Sequence, residues 1–145
     1  LLQTPGAWQQ LGEKPDSAAA AVEEILRFDG PIKSMWRLAG ADTVLGETHV
    51  ASGQRVLLVQ AAANRDPRRF DDPNTFNIAR NPNFHVGFGY AAHYCMGAAV
   101  ARLEGQLALK SLAKRFPQLS LATESFEYHP FIVTRAMKSL PVRLR

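Results

Sequence analysis

Cys95 is the only cysteine of the chain, and it lies in a glycine-bounded loop directly before a strongly patterned helical segment. A thiolate rather than a thiol binds metal ions, so a coordinating cysteine must lose its proton. The start of a helix favours that loss, because the helix dipole and free backbone N–H groups place positive charge near the sulfur. Small residues let the same loop lie close to a flat group: Gly89, Ala91 and Ala92. The pattern predicts a metal-binding thiolate.

Composition limits the class of protein. The chain has 145 residues, of which 46% are hydrophobic and 21% charged, as in one globular domain. One cysteine excludes an internal disulfide and a cysteine-rich zinc or iron–sulfur site, and it favours the reducing cytoplasm. The net charge of +4 is spread along the chain, so we expect no nucleic-acid binding. No apolar run approaches the roughly 18 residues of a membrane span, so we expect no membrane partner.

The elements that must position the loop are mainly helical with small β-sheets, an α+β class. Residues 1–30 hold two predicted helices, and the second covers Ala18–Phe28 with Asp16 or Ser17 as its N-cap. Residues 33–59 hold β-prone pieces separated by glycines, as in a small sheet with hairpins. These pieces are Ser34–Leu38, Thr43–Leu45, Thr48–Val50 and Arg55–Val59.

The second half of the chain contains one long helix between two less regular segments. Residues 66–95 are an irregular segment with repeated X-Pro turns, and loops of that length inside a domain are usually functional. Residues 96–116 predict a long helix that Pro117 ends, with Val100, Leu103 and Leu107 on an apolar face. Residues 119–145 are predicted to be a β-rich tail.

Residues 88–97 resemble the cysteine-ligand loop of cytochrome P450 enzymes. That pattern reads Phe, two variable residues, Gly, one variable residue, Arg or His, one variable residue, Cys, one variable residue, Gly. Phe88, His93, Cys95 and Gly97 fit it, whereas Ala91 stands where the pattern has its internal glycine. The resemblance implies the C-terminal part of the cytochrome P450 fold.

The resemblance also implies a haem b (iron protoporphyrin IX) site. Cys95 would be the axial thiolate, which pushes electron density onto iron and favours O–O cleavage. Phe88 would pack beside it under the porphyrin, and His93 with Arg37 would bind the two propionates. His85 either approaches a propionate or is an ordinary loop histidine. The loop glycines complete the implied cofactor-binding set: Gly89 and Gly97.

Glu24 and Arg27 stand one helical turn apart and match the Glu-x-x-Arg motif of the same family. On their own they read as an exposed pair worth a few tenths of a kcal/mol. The stretch from Pro73 to Arg80 resembles the family's Pro-x-x-Phe-x-x-x-Arg segment. The resemblance therefore implies a buried structural triad of Glu24, Arg27 and Arg80 that holds the irregular segment.

Substrate contacts are expected from two distant segments. One follows Phe28 and the other is a late turn, and their candidate residues are Ile32, Lys33, Ser34, Phe131, Ile132 and Val133. Their apolar members favour a hydrophobic small molecule, although ordinary core packing explains them equally well. Lys33 either meets an anionic substrate or points to water.

The resemblance implies a haem-thiolate monooxygenase that inserts one oxygen atom of O₂ into a hydrophobic substrate. Electrons would come from NAD(P)H through a ferredoxin or flavodoxin-type donor. A basic stripe on the long helix would offer that acidic donor a docking face, or would simply be solvated: Arg102, Gln106, Lys110 and Lys114.

Two alternatives stay open. One is a non-catalytic or truncated P450-like partner protein that acts by protein–protein interaction. The other is a zinc site built from Cys95, His93 and either His49 or His129, whose spacing matches no known ligand set.

The resemblance covers little more than the C-terminal third of the family. It begins after the central helix whose acid and alcohol residues deliver protons, and the first residue is Leu1 rather than Met. We therefore expect a cut, processed or fragmentary chain with an exposed apolar patch on the long helix. We also expect it to need the missing N-terminal part of the P450 to hold haem well.

Overall fold

The computed structural model describes residues 1–144 and builds them from four α-helices and six short β-strands. The helices are α1 (Ala7–Glu13), α2 (Ala18–Asp29), α3 (Gln60–Ala63) and α4 (Ala98–Arg115). The strands are β1 (Met35–Leu38), β2 (Thr43–Leu45), β3 (Thr48–Val50), β4 (Arg55–Leu58), β5 (Ser120–Leu121) and β6 (Val142–Arg143). The predicted α+β class, mainly helical with small sheets, is confirmed. Within residues 1–144, no helix has the length and apolar character that a membrane crossing requires.

Helix α2 begins without the side-chain cap that the sequence predicted. A 3₁₀ turn over Pro15–Ser17 leads straight into it, so Ser17 already has near-helical backbone angles. An N-cap residue needs an extended backbone to reach back to the first N–H groups. The Ser17 hydroxyl instead donates to the carbonyl oxygen of Lys14 at 2.7 Å. At the other end, a Cβ on Gly30 would lie 2.4 Å from the Leu26 oxygen, so only glycine ends the helix there.

Helices α1, α2 and α4 form the core. Their small residues allow close approach, and a Cβ on Gly105 of α4 would lie only 3.1 Å from a methyl carbon of Val22 on α2. The Trp8 indole donates to the Phe116 carbonyl oxygen at 2.9 Å, which ties α1 to the end of α4. The buried core residues form two clusters: Trp8, Leu11, Ala18 and Ala113, and next to them Ala7, Ala21 and Ile78.

The sheets are three separate antiparallel pairs, β1 with β4, β2 with β3, and β5 with β6. In the first pair Arg37 lies opposite Val56. The four predicted β-prone pieces of residues 33–59 match β1 to β4 to within one residue at each end. These short alternating pieces are bounded by glycine turns, which is why sequence alone located them.

The tail beyond residue 119 is less regular than predicted. It contains the two-residue strands β5 and β6 and one isolated bridge between Tyr128 and Met137. Pro130 and Pro141 lack the N–H group that a longer ladder needs, which limits pairing in this segment. Arg145, the last residue of the predicted tail, lies outside the described residues.

Helix α4 starts at Ala98, two residues later than predicted, and it turns its apolar side outward. The side chains of Val100, Leu103 and Leu107 are 59%, 56% and 56% exposed. The face that packs on α2 instead carries Gly105 and Ala113. The expected apolar patch on the long helix is therefore present.

The predicted basic stripe on α4 is partly paired with acidic groups, and its role as a docking face stays a prediction. Arg102 turns inward to the Glu23 carboxylate of α2, and the Lys110 ammonium lies 3.7 Å from the Asp16 carboxylate. The Glu23 carboxylate of α2 and the Asp16 carboxylate in the 3₁₀ turn before α2 lie close enough to attract these two cations. Lys114 stays exposed.

Candidate functional site

Backbone hydrogen bonds close the cysteine loop, which we define as residues 86–97. The Cys95 N–H donates to the Phe88 carbonyl oxygen at 2.8 Å, and the Gly89 N–H donates to the Val86 oxygen at 2.9 Å. The Ala98 N–H donates to the Cys95 oxygen at 3.2 Å, so α4 begins directly from the cysteine. The loop therefore has one defined shape and presents Cys95 at the start of the helix.

Two residues of the loop have left-handed backbone conformations. Gly89 has φ of 81°, and a Cβ there would lie 2.6 Å from the His93 carbonyl oxygen. No other residue fits that position without moving the backbone. Ala91 has φ of 49°, which costs an L-residue roughly 1–2 kcal/mol. This is the position where the family pattern has glycine, and the positive φ gives the physical reason for it.

Cys95 is a free, exposed thiol. A Cβ on Gly97 would lie 3.9 Å from its sulfur, so the glycine leaves one side of Sγ open. His93, on the 3₁₀ turn Ala91–His93, is exposed as well. The loop thus presents its predicted ligand and its predicted propionate partner to the outside of this chain.

Arg37 is the second predicted propionate partner, and it differs from the arginines that pair with carboxylates. Its guanidinium donates to the carbonyl oxygen of its neighbour Trp36 at 2.9 Å. Among residues 1–144, no carboxylate lies within ion-pair distance of Arg37 or of His93. Both side chains keep donors available for an anionic group.

These residues fit a haem. An accessible sulfur ligand suits iron, and two uncommitted donors suit the two propionates. The zinc alternative is contradicted, because within the described residues no three His, Cys, Asp or Glu side chains come together at a possible metal site. Cys95 and His93 therefore have no His49 or His129 to complete a zinc ligand set.

The structure brings Glu24, Arg27 and Arg80 together in the interior. Arg27 donates to both carboxylate oxygens of Glu24 at 2.7 Å, and neither side chain is exposed. The Arg80 Nε lies 3.2 Å from a Glu24 oxygen. The Asn77 N–H and the Asn83 amide donate to the same carboxylate at 2.8 and 3.1 Å. Burial alone would raise the pKa of Glu24, but these hydrogen bonds outweigh it and lower the pKa below its ordinary value.

The two arginines use their other donors to hold irregular backbone. Arg27 donates to the carbonyl oxygens of Asn64, Pro73 and Thr75 at 2.9, 2.9 and 3.1 Å. Arg80 donates to the Asp71 oxygen at 2.7 Å. A segment without regular ladders satisfies its carbonyl groups in this way, and helix α2 becomes the base on which it is fixed.

A second ionic network lies next to the first, and sequence reasoning missed it. Glu23 of α2 accepts two hydrogen bonds from Arg102 of α4, at 2.7 and 2.9 Å, and one from His85 at 3.0 Å. Arg102 also donates to the Tyr94 hydroxyl at 2.7 Å, and its guanidinium lies 4.6 Å from the Phe88 ring centre. The adjacent acids at positions 23 and 24 were the only sequence signal. Nothing in the spacing shows that Arg102, 79 residues away, is the partner.

His85 has both ring nitrogens engaged inside the chain. Its Nδ1 accepts a hydrogen bond from the Gly87 N–H at 3.0 Å, so Nε2 carries the proton and donates to Glu23. The side chain is 2% exposed, and burial lowers its pKa below the ordinary value, so the neutral ring is favoured. The geometry supports the ordinary loop histidine, and its contact with a propionate stays a prediction.

The two predicted substrate segments lie side by side, although about 100 residues separate them. The Lys33 N–H donates to the Val133 oxygen at 2.8 Å, and Ile32 forms a bridge with Thr134. Ile132 is 80% exposed, whereas Ser34 is buried. The Lys33 ammonium pairs with the Asp29 carboxylate, four residues before it, and its contact with an anionic substrate stays a prediction. Beside this junction is a cavity of about 530 Å³.

Comparison with known proteins gives one consistent result. The family model "Cytochrome P450" matches residues 18–133. The "Biotin biosynthesis cytochrome P450" of Bacillus subtilis is 42% identical over 142 residues, which are 98% of this chain and 36% of that protein. The "6-deoxyerythronolide B hydroxylase" of Saccharopolyspora erythraea is 37% identical over 146 residues, 99% of this chain and 36% of that protein.

A solved structure agrees with the sequence relatives. The crystal structure of P450BioI in complex with hexadec-9Z-enoic acid ligated Acyl Carrier Protein superimposes with a TM-score of 0.96 at 41% identity. The match covers 100% of this chain and 38% of that one. The chain thus spans a little over a third of the length of the relatives it matches. It belongs to the cytochrome P450 family and comprises the part of that fold that carries the cysteine loop.

Proposed function

We propose that the protein carrying this chain is a haem-thiolate monooxygenase and that Cys95 is its iron ligand. The observation that carries the proposal is a free, exposed cysteine in a closed loop that matches the family's ligand pattern. When bound, haem b supplies the activation of O₂ and the insertion of one oxygen atom into a substrate. Electrons come from NAD(P)H through a ferredoxin or flavodoxin-type donor, and the proposed location is the cytoplasm.

The chain's own residues bind and orient the cofactor. Cys95 supplies the thiolate, and the closed loop holds its backbone so that the sulfur faces outward. Arg37 and His93 bind the anionic edges of the porphyrin, because a guanidinium and an imidazole both donate to carboxylates. Phe88 packs beside the thiolate and keeps water from it. The networks around Glu23 and Glu24 fix the loop and the irregular segment against α2.

We propose a hydrophobic small molecule as the substrate, contacted by Ile32, Ile132 and Val133 in the paired segments. The high exposure of Ile132 supports this, since an exposed isoleucine is available to an apolar ligand. Relatives are named for 6-deoxyerythronolide B and for a steroid, and one solved relative is in complex with a hexadec-9Z-enoic acid ligated acyl carrier protein. Ser34 borders the same segment from a buried position, and Lys33 lies beside it with its charge paired to Asp29.

The test is replacement of the ligand in the longest available form of the protein, loaded with haem. Cys95→Ser is expected to abolish the spectrum of a thiolate-ligated haem in the reduced carbon-monoxide complex, because a neutral hydroxyl cannot replace the thiolate. His129→Gln is the matched control. It removes another side chain that could ligate iron, and it should leave the spectrum unchanged. Circular dichroism checks that both variants fold. A thiolate spectrum that survives in Cys95→Ser would contradict the proposal.

One observation favours a second candidate, a P450-like partner protein without catalysis. The apolar residues Val100, Leu103 and Leu107 form an exposed face on α4, and such faces mark interaction surfaces. This candidate predicts that Cys95→Ser leaves the protein's cellular phenotype intact. The monooxygenase proposal predicts its loss, so the same variant separates the two.

A further inference from the structure

Arg102 contacts both arms of the cysteine loop. It stands seven residues after Cys95, about one turn into α4, on the side that faces α2. One nitrogen donates to the hydroxyl of Tyr94, the residue directly before the cysteine, at 2.7 Å. The guanidinium plane also lies 4.6 Å from the ring centre of Phe88. Phe88 is the residue whose carbonyl oxygen accepts the Cys95 N–H, so the two contacts frame the cysteine from either side.

Arg102 is itself held in place from the opposite side. Its Nε and second terminal nitrogen donate to the two oxygens of Glu23 at 2.7 and 2.9 Å, in the paired geometry that a planar guanidinium makes with a carboxylate. His85 donates to the same carboxylate at 3.0 Å and accepts from the Gly87 N–H. The guanidinium thus connects α2, both arms of the loop and α4.

We infer that Arg102, held by Glu23, is a positioning residue for the Cys95 thiolate. Arg102 fixes the orientation of the loop rather than touching the cofactor, so it acts on the iron ligand through Tyr94 and Phe88. This inference rests on the proposed function, because it treats Cys95 as the haem ligand.

Geometry explains why arginine fits this role and lysine does not. The Arg102 side chain makes three separate contacts: paired donation to Glu23, donation to Tyr94 and a cation–π contact with Phe88. A guanidinium has enough donors in a rigid fork to make all three at once, whereas an ammonium is a point charge that cannot form the fork. Arg102→Lys therefore preserves the charge and removes the geometry.

The experiment compares variants of the full-length protein in haem-free and haem-loaded forms. Amide hydrogen exchange at Cys95 in the haem-free form reports directly on how firmly its N–H is held to Phe88. The reduced carbon-monoxide spectrum of the loaded form reports on thiolate ligation. Lys110→Met is the matched control, since it removes a cation from the same helix that pairs with Asp16 and not with the loop.

Arg102→Met is expected to speed exchange at Cys95 about tenfold or more and to shift part of the spectrum away from the thiolate form. Arg102→Lys should change the exchange rate and the spectrum in the same direction. Tyr94→Phe, which removes one of the three contacts, should increase the exchange rate at Cys95 by a smaller factor. Amides of α2 near Arg27 should exchange as in the parent protein, because the Glu24 network is untouched. Lys110→Met should change neither readout.

Exchange at Cys95 within about twofold of the parent in both Arg102 variants would overturn the inference, even if global stability fell. If Arg102→Met does not fold, Arg102→Lys and Tyr94→Phe decide the result. A parent protein that binds haem without a thiolate spectrum would overturn the proposed function together with this inference. If the parent shows a thiolate spectrum, and the Arg102 variants show the same spectrum and the same exchange at Cys95, this inference alone would be overturned.

Discussion

The Glu24 network and the cysteine loop are adjacent regions that achieve order by opposite means. Glu24 and Arg27 have no exposed side-chain surface, and charged side chains hold backbone that has no regular hydrogen bonding. The cysteine loop exposes Cys95, Tyr90 and Met96, and its own backbone bonds and special φ angles hold its shape. The scaffold is therefore complete within this chain, whereas the loop presents its side chains to something outside it.

This difference teaches where substitutions should be costly. A buried ion pair that loses one partner leaves a charge without solvent, so damage in the first region is electrostatic. Damage in the second region is mainly steric and conformational, because backbone hydrogen bonds and left-handed φ angles set the shape of the loop, and the Glu23–Arg102 ion pair that contacts it is only partly buried. Four predictions follow this division, from the largest expected effect to the smallest.

Arg27→Met is expected to cost about 3–5 kcal/mol of the free energy of unfolding, because it strands the buried Glu24 carboxylate and frees three backbone carbonyls. Urea denaturation of the intact protein measures it. Arg68→Met is the matched control, since Arg68 pairs with Asp66 at the surface with its side chain 89% exposed. Equal losses in the two variants would show that burial does not set the cost.

Gly89→Ala is expected to cost about 2–3 kcal/mol, the sum of a left-handed backbone angle and a clash with the His93 oxygen. Gly53→Ala isolates the cost of the left-handed backbone angle, since Gly53 has φ of 80° and no atom lies within 4 Å of the position that its Cβ would take. The difference between their unfolding midpoints measures the clash. Similar midpoints in the Gly89→Ala and Gly53→Ala variants would show that the cysteine loop relaxes freely around the new Cβ, which would contradict a loop of one defined shape.

Ala91→Gly is expected to stabilise the loop by up to about 1 kcal/mol. Removing the Cβ relieves the strain at φ of 49°, and the greater freedom of glycine in the unfolded chain offsets part of the gain. Thermal unfolding of the intact protein is the measurement, with Ala92→Gly, next in the chain, as the control. A drop in stability equal to that of the control would show that Ala91 is not strained.

Stability is expected to fall as the pH drops below about 6.5, with His85 acting first. Burial lowers the pKa of His85 in the folded state, so the unfolded chain takes up a proton at a higher pH than the folded protein. This preferential protonation stabilises the unfolded state and lowers the free energy of unfolding. Glu23 and Glu24, whose pKa values are lowered by their arginine and histidine partners against the effect of burial, lose their contribution at more acidic pH.

His85→Gln separates the two steps, because glutamine keeps a donor for Glu23 without titrating. Urea midpoints measured from about pH 7.5 to about pH 5.5 should change less in this variant than in the parent. Identical slopes would show that His85 does not contribute. The acidic step should be the same in both proteins.

Much of the fold was predictable because its signals are local. Alanine-rich α2 and the glycine-bounded strands of residues 33–59 follow from propensity and punctuation, and they appear within about one residue of their predicted bounds. The exposed apolar face of α4 was expected from the resemblance, but the residues that take its place in the core were not. Its apolar residues follow the helical period, but the small residues Gly105 and Ala113 face the core, because α2 approaches closely there.

The candidate site divides in the same way. The resemblance to the family's patterns pointed to the loop around Cys95 and to Glu24 with Arg27, whereas residue type and spacing alone indicated only a metal-binding thiolate and an exposed ion pair. The role of Arg102 needed the structure. From the sequence alone, Arg102 is interpreted as part of a solvated stripe on the helix. Only the structure shows that the Glu23 carboxylate of another helix faces it.

The sequence by itself determined the class of fold, the loop that carries the thiol and the bounds of most helices and strands, since these depend on neighbours in the chain. The tertiary structure alone decided which small residues of α4 meet the core, that Arg102 contacts Glu23 and the cysteine loop, and that residues 32–34 meet residues 133–134. Those facts depend on contacts between segments about 80 to 100 residues apart. Local spacing carries no information about such contacts, because packing and charge pairing between elements set them.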